Sequence, residues 1–497
     1  MNRIIPLLLF GVINVTISNA QDETARVYSL EEYRAMALGQ SKTILISKEK
    51  LKMAEELKKA AFTQFFPNFS ANATYMWNQK SISLLSEDAL LPIGTRAADG
   101  SFSFRADQVN NKWTMVEGQA VPLDSEGKPF NPKKNPEKIQ WKDYAYLPKS
   151  AMEYDIHNVF AGGLGFTQPI FMGNKIRELY NISKSTEQIV ALDDKQTERD
   201  LIIEVDESYW RTVSLLNKQK LARKLTDLLE KLNSDVENML KEGVATKGDL
   251  LNVRVKLNEA HLALTRAENG VRLSSMALYQ LCGLNINGNY GLADEDISQQ
   301  PLSYQIDFDI NKILDSRLEL KKLEQLNKIE SSKVKIMKGR FMPTIALSAN
   351  YLLSNPNSYN GYENKFGGMF NAGVVVSIPI FHFGDKIHTL RSARYSQKKK
   401  NYQIKDTKEK IELQVTQSNF RFQEANKKLT SAQSNIASAE ENLKLAEIAY
   451  KEGLISITDI LGAQTAWVSA NSDRIDASID VRLCELYLMR AKGEAFK

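Results

Sequence analysis

Ala449-Tyr450-Lys451-Glu452-Gly453-Leu454-Ile455-Ser456-Ile457-Thr458-Asp459-Ile460-Leu461 separates two long runs of helical composition. A near copy, Met239-Leu240-Lys241-Glu242-Gly243-Val244-Ala245-Thr246-Lys247-Gly248-Asp249-Leu250-Leu251, does the same earlier in the chain. Each copy carries Lys-Glu-Gly, then a hydroxyl residue, then an aspartate three positions on. Gly243 and Gly453 suit the left-handed residue that ends a helix. Thr246 with Asp249, and Ser456 with Asp459, read as capping boxes that open the next one. Each stretch is thus the tip of a helical hairpin, and the chain reads as a duplicated unit.

The flanking sequence fits. Lys175 to Lys241 and Lys386 to Lys451 contain neither Pro nor Gly, so each can form a helix of roughly 100 Å. In the second, Ala425, Leu429, Ala432, Ile436, Ala439, Leu443, Ala446 and Tyr450 step by fours and threes, a coiled-coil seam. Leu225, Leu229, Leu232, Val236 and Met239 keep the same rhythm in the first. Returning helices are expected from Thr246 to about Leu281 and from Ser456 to about Ala491. Earlier helices are expected near 29–61, where Ser29 can cap, and 311–340. Stacked end to end, an earlier and a returning helix make one composite rod beside each long helix.

Elsewhere the period is two. Phe69, Ala71, Ala73, Tyr75 and Trp77 alternate with Asn68, Ser70, Asn72 and Thr74. Ile345, Leu347, Ala349 and Tyr351 repeat the pattern after Pro343. The offset that separates Gly243 from Gly453 also aligns Phe160, Leu164, Phe166 and Ile170 with Phe370, Val374, Val376 and Ile380. Strands are expected near 65–77, 158–171, 341–353 and 369–381. That length suits a tilted membrane strand. Phe65, Phe66, Phe171, Phe341 and Phe381 at one end, and Tyr75, Trp77, Phe160, Tyr351 and Phe370 at the other, read as aromatic girdles. Four strands cannot close a barrel, and open edges are not viable in lipid, so copies must pool their strands. A soluble four-stranded sheet packed on helices is the plainer alternative.

The expected organisation is a signal peptide at 1–20, a first repeat at 21–284 with its tip at 241–249, a linker at 285–310, and a second repeat at 311–497 with its tip at 451–459. Arg3, the apolar run Ile4 to Ile13 and Ser18-Asn19-Ala20 carry the signal-peptide reading. Tyr304 to Phe308 alternates as a small strand would. Residues 79–155 form a long proline-rich connection containing Trp113 and Trp141, expected to be extracellular. A net charge of +5 with 25% charged residues gives no nucleic-acid footprint. The four histidines are scattered, and Cys282 and Cys484 lie far apart. No metal, cofactor or catalytic motif is expected.

The two tips, the strand exits Gln168-Pro169-Ile170-Phe171 and Ile378-Pro379-Ile380-Phe381, and the strand starts Phe66-Pro67 and Met342-Pro343 together resemble the TolC-like outer-membrane efflux family. The resemblance implies an α+β membrane protein: a homotrimer with a twelve-stranded β-barrel in outer-membrane lipid and a periplasmic α-helical tunnel. It implies a passive exit duct for drugs, toxic compounds or proteins, partnered by a periplasmic adaptor and an inner-membrane pump. It implies a gate at the tip around Tyr450, Gly453, Leu454, Ile455, Asp459, Gly243 and Asp249. Tyr450 resembles the family's locking tyrosine and Asp459 its first ring acid. The second acid falls on Gly462 and an arginine of some members on Ile455, so closure is expected to rest on packing of Tyr450, Leu454 and Ile455. The competing reading is a secreted coiled-coil or adhesin-like protein that binds through 79–155.

Overall fold

The computed structural model describes residues 26–92, 94–96, 98, 102–104, 112–131, 133–134, 136–138, 144–295 and 309–494. The expected leader 1–20, Trp141 and the alternating Tyr304–Phe308 lie outside them. The helices are α1 (Leu30–Gln40), α2 (Lys42–Thr63), α3 (Lys175–Lys241), α4 (Lys247–Leu281), α5 (Ile310–Ser316), α6 (Leu318–Gly339), α7 (Asp385–Lys451) and α8 (Ile457–Lys492). The strands are β1 (Arg26–Tyr28), β2 (Asn68–Trp77), β3 (Ile82–Ser83), β4 (Ala89–Pro92), β5 (Gly94–Arg96), β6 (Phe102–Phe104), β7 (Trp113–Val116), β8 (Gln119–Pro122), β9 (Tyr144–Leu147), β10 (Glu153–Tyr154), β11 (Asn158–Met172), β12 (Tyr290–Leu292), β13 (Thr344–Asn355) and β14 (Gly367–Ser377).

The two sequence repeats are not two domains. Among the described residues the eight α-helices belong to one compact unit, and the four long strands with the connections between them to another, so each repeat contributes to both. In the helical unit, α3 and α7 each run 67 residues. Both start after a left-handed residue, Asn174 or Gly384. The seam residues Phe422, Ala425, Leu429 and Ala432 of α7 are buried against Ala477, Val481 and Leu488 of α8. Small residues on that seam allow the close approach of the two helices. Leu229, Leu232 and Val236 of α3 bury against Leu250, Val253 and Ala260 of α4 in the same way.

The helices before the strands are not continuous over 29–61 and 311–340. Ser41 and Arg317 adopt extended backbone and divide each into two. The breaks receive the ends of the returning helices. Gly283, at φ +73°, lies so close to Gln40 that a Cβ would fall 2.9 Å from its carbonyl oxygen. Gly493, at φ +72°, abuts the Ser316 side chain more closely still. The buried Arg317 donates to the carbonyl of Ala491 at 2.7 Å and to Gln414 at 3.0 Å. It therefore satisfies an orphan carbonyl near the end of α8. Beyond the breaks, α2 is tied to α3 by Lys58–Glu187, and α6 to α3 by Arg199–Glu319 at 2.8 Å.

The expected linker carries more order than its composition announced. Within it β12 pairs in parallel with β1. Tyr33, Val205, Tyr209, Leu278, Cys282, Leu292 and Ile475 are buried together beside this pair. Tyr209 donates to Asp294 at 2.7 Å and Tyr279 to the carbonyl of Tyr290 at 2.8 Å. Burial pushes the Cys282 thiol up to about 12, so Cys282 behaves as a small hydrophobe.

In the other unit the long strands form one antiparallel sheet in the order β14-β13-β11-β2. The register places Tyr75 opposite Phe160 and Phe69 opposite Phe166, with ring centroids 4.9 and 5.2 Å apart. It places Leu164 opposite Tyr351, and Tyr351 opposite Phe370. The apolar positions Phe69, Ala71, Tyr75, Phe160, Leu164, Phe166, Leu347, Tyr351, Phe370 and Val374 therefore share one face, while Ile170 falls at the register shift of β11 and Ile380 lies beyond β14. Asn68, Ser70, Asn72, Thr167, Ser348, Asn350 and Asn371 share the other. Strand ends differ from expectation. β2 begins at Asn68, β13 runs from Thr344 to Asn355, and β14 stops at Ser377. Pro169-Ile170-Phe171 lies inside β11 at a register shift, whereas Pro379-Ile380-Phe381 lies beyond β14. A proline without an amide hydrogen is tolerated at such an irregularity.

Residues 79–155 are not an unstructured loop. Its described strands pair as β3 with β10, β4 with β9, β5 with β6 and β7 with β8, a nested antiparallel series. The tight turn between β7 and β8 uses Glu117 and Gly118, both at positive φ, as a two-residue hairpin requires. Tyr154 stacks on Tyr362 of the short β13–β14 connection, with centroids 5.5 Å apart.

Candidate functional site: the helix tips and the amphipathic sheet

The tip motifs are built alike. At the first, Gly243 has φ +79° and its N–H reaches the carbonyl of Leu240 at 3.1 Å, while Val244 N–H reaches that of Met239 at 2.8 Å. At the second, Gly453 has φ +73°, with N–H to the carbonyl of Tyr450 at 3.0 Å and Leu454 N–H to that of Ala449 at 2.8 Å. These paired bonds close the helix end on its own carbonyls. The next helix opens with a complete capping box. Asp249 N–H donates to Thr246 Oγ1 at 3.1 Å, and Thr246 N–H to Asp249 Oδ2 at 2.9 Å. Asp459 N–H donates to Ser456 Oγ at 3.3 Å, and Ser456 N–H to Asp459 Oδ2 at 2.9 Å. The Thr246 hydroxyl and amide hold the Asp249 carboxyl below its usual range, and those of Ser456 do the same for Asp459. Asp459 is exposed and Asp249 half-buried, and both carboxylates are committed to helix N-termini, where negative charge is favoured.

The hairpins meet just behind the tips. Ile457 and Ile460 of α8 are buried with Leu232, Val236, Leu250 and Val253, and Tyr450 and Ile455 pack on this cluster. The Tyr450 hydroxyl lies 3.9 Å from Met239 Sδ on α3. Burial, then the charges of Asp249 and Asp235, push the Tyr450 phenol up, so it remains a hydrogen-bond donor. Within the single chain Leu454 makes no such packing: it is 77% exposed there, and its counterpart Val244 70%. Only Tyr450 and Ile455 of the expected trio join the inter-hairpin core.

The second feature is the sheet. None of its four strands contains a charged residue. Its apolar face leaves Phe69, Leu164, Phe370 and Val374 exposed in the single chain. So much contiguous apolar surface needs a cover of lipid or protein. Among the described residues β2 pairs only with β11 and β14 only with β13, so both outer edges keep unspent backbone groups. Of the expected girdle, Tyr75, Trp77, Phe160, Phe171, Tyr351 and Phe370 are on strands, while Phe65, Phe66 and Phe341 precede them. Phe381 belongs to the helical unit, where it stacks on Phe383. Among the described residues no helix is long and apolar enough to cross a membrane, and no cluster of His, Cys, Asp and Glu could hold a metal ion.

An uncharged, amphipathic sheet with two open edges, in a chain that also carries doubled helical hairpins, defines a class: a membrane channel that spans by pooled β-strands. The outer membrane efflux protein family model matches residues 144–284 and 310–494, and the chain belongs to that family. It is accordingly an outer-membrane efflux channel, not an enzyme, and membership implies a trimer that extends into the periplasm. The adhesin-like alternative is thereby excluded. The fold is similar to that of VceC of Vibrio cholerae, at 14% identity and a TM-score of 0.66, over 94% of this chain and 97% of that one. It is also similar to CmeC of Campylobacter jejuni, at 15% identity and TM-score 0.67, over 100% and 95%. MtrE of Neisseria gonorrhoeae, solved in its open state, matches at 13% identity and TM-score 0.67, over 94% and 89%. No curated protein matches the chain by sequence.

Proposed function

We propose that three copies close edge β2 of one chain against edge β14 of the next and form a passive exit duct whose opening is controlled at the helix tips. The observation that carries this reading is the sheet: two unpaired edges and an uncharged apolar face are stable in lipid only when closed into a barrel. The aromatics Tyr75, Trp77, Phe160, Phe171, Tyr351 and Phe370 then lie at the lipid interfaces. The gate is the contact between hairpins, in which Tyr450 and Ile455 hold α7 and α8 against α3 and α4. Asp459 and Asp249 contribute fixed charge to the tip while capping their helices. Gly243 and Gly453 let the chain reverse. Energy comes from outside the duct, from an inner-membrane pump reached through a periplasmic adaptor.

Purified trimers in planar bilayers test this. Wild-type protein should show small, infrequent conductance, and Tyr450→Ala should raise the open probability by removing a side chain from the inter-hairpin core. A protein that is monomeric, soluble without detergent and non-conducting in both forms would sink the reading.

A further inference from the structure

Between α3 and the α7–α8 hairpin, just behind the second tip, lies a cavity of about 470 Å³. Its apolar wall is Leu228, Leu232, Met239 and Ile460. Charges of both signs surround it: Lys231 and Lys451 against Asp235 and Glu447. Three neutral polar groups complete it, Asn238 and two that bear on a ligand. One is Tyr450, whose phenol has Met239 sulfur as a distant partner at 3.9 Å. The other is Gln464, only 3% exposed, whose Oε1 is buried without a hydrogen-bond partner. A buried amide oxygen left unpaired costs free energy, and a ligand that supplied a donor would recover it.

Internal duplication shows that a hairpin need not be built this way. Gln464 corresponds to Arg254 in the first hairpin, which is exposed and faces Glu237 at 3.8 Å. Ala463 corresponds to the larger, fully buried Val253. The second hairpin thus carries a buried, unspent acceptor where the first carries a solvated charge.

We infer that this cavity binds a small, uncharged, largely apolar molecule bearing an amide or similar N–H donor, and that binding holds the tips together. The volume suits such a ligand, and balanced charge at the rim favours no net sign. The N–H donates to Gln464 Oε1 and the Tyr450 hydroxyl donates to the ligand's carbonyl. A ligand so placed bridges α3 to α8 and opposes their separation. The regulatory half of this inference rests on the gate reading given above; the binding half does not.

Benzamide is a suitable probe, with methyl benzoate as a near-isostere lacking the N–H. Saturation-transfer NMR on the full trimer in detergent should show saturable benzamide binding, weakened about 3- to 10-fold by Gln464→Leu, as loss of one neutral hydrogen bond implies. Methyl benzoate binding should not respond to that substitution. Should Gln464→Leu fail to assemble, Leu228→Trp fills the cavity from α3 and should abolish benzamide binding. Unsaturable binding, or equal binding in wild type and both variants, overturns the site. In bilayers benzamide should lower the open probability of wild type, and Gln464→Leu should need about 3- to 10-fold more benzamide for the same effect. Binding without that effect overturns the regulatory role. Trimers that never conduct overturn the duct reading instead, and leave the binding result standing.

Discussion

Asp459 shows how much one side chain can be asked to do. Its carboxylate is exposed at a tip, as a ring of charge requires, and it is also half of a capping box with Ser456. The two roles separate by substitution. Ser456→Ala should cost about 1 kcal/mol of stability, within the 0.5–2 range for lost caps, and leave ion selectivity unchanged. Asp459→Asn keeps an acceptor oxygen and removes the charge; it should leave stability nearly intact and lower cation preference, read from reversal potentials in a salt gradient. Glu319 is a different case. Burial would raise its carboxyl, but Arg199 at 2.8 Å and Arg317 at 3.0 Å, with its own amide, hold it at about 2 instead of 4.5. A depressed folded value means stability that is present above the unfolded value and lost as pH falls toward the folded one. Wild-type thermal stability should therefore fall between about pH 4.5 and pH 2, by on the order of 3 kcal/mol for this group. Glu319→Gln should be less stable at pH 7, because two buried guanidinium groups lose their partner, and flatter across that window.

At the scale of elements, the glycines at helix ends divide into two kinds. Gly453 and Gly283 both sit at positive φ, but only Gly283 is crowded, by Gln40 at the α1–α2 break. Gly453→Ala should cost about 1 kcal/mol, the left-handed penalty alone. Gly283→Ala adds a clash with backbone that cannot swing aside, and its loss should be clearly larger in the same denaturation series. The difference bears on what could be read in advance. Long helices, seams and tips repeat at short range, so their residues announce them. The breaks at Ser41 and Arg317 do not: neither residue is a helix breaker, and each is extended because the end of a returning helix occupies the space beside it. The tyrosine core around Tyr33 and Tyr209 was equally silent, since its members come from segments distant in sequence.

For the whole molecule, the faces of the sheet decide where it can reside. Val374 lies on the apolar face opposite Leu347, and Gly373 on the polar face opposite Ser348, with open space where a Cβ would be. Val374→Arg should cost about 2–4 kcal/mol in lipid and deplete trimers from the outer-membrane fraction. Gly373→Lys should leave trimer yield near wild type. Equal loss in both variants would count against lipid contact on the apolar face. A bulkier polar face is tolerable only if it borders water, which a barrel of pooled strands supplies.

The sequence by itself determined the duplication, the two capped tips, the alternation of the four strands and the need for partner copies. Each follows from local periodicity or from the rule that backbone polar groups in lipid must be paired. Tertiary structure alone decided that Tyr450 and Ile455 pack while Leu454 stays exposed within the single chain. It alone decided that 79–155 folds into nested strands, and that Gln464 is buried with an unspent oxygen although its counterpart Arg254 is solvated. These outcomes depend on which distant segment arrives beside a residue and how much room it leaves, and no local pattern records that.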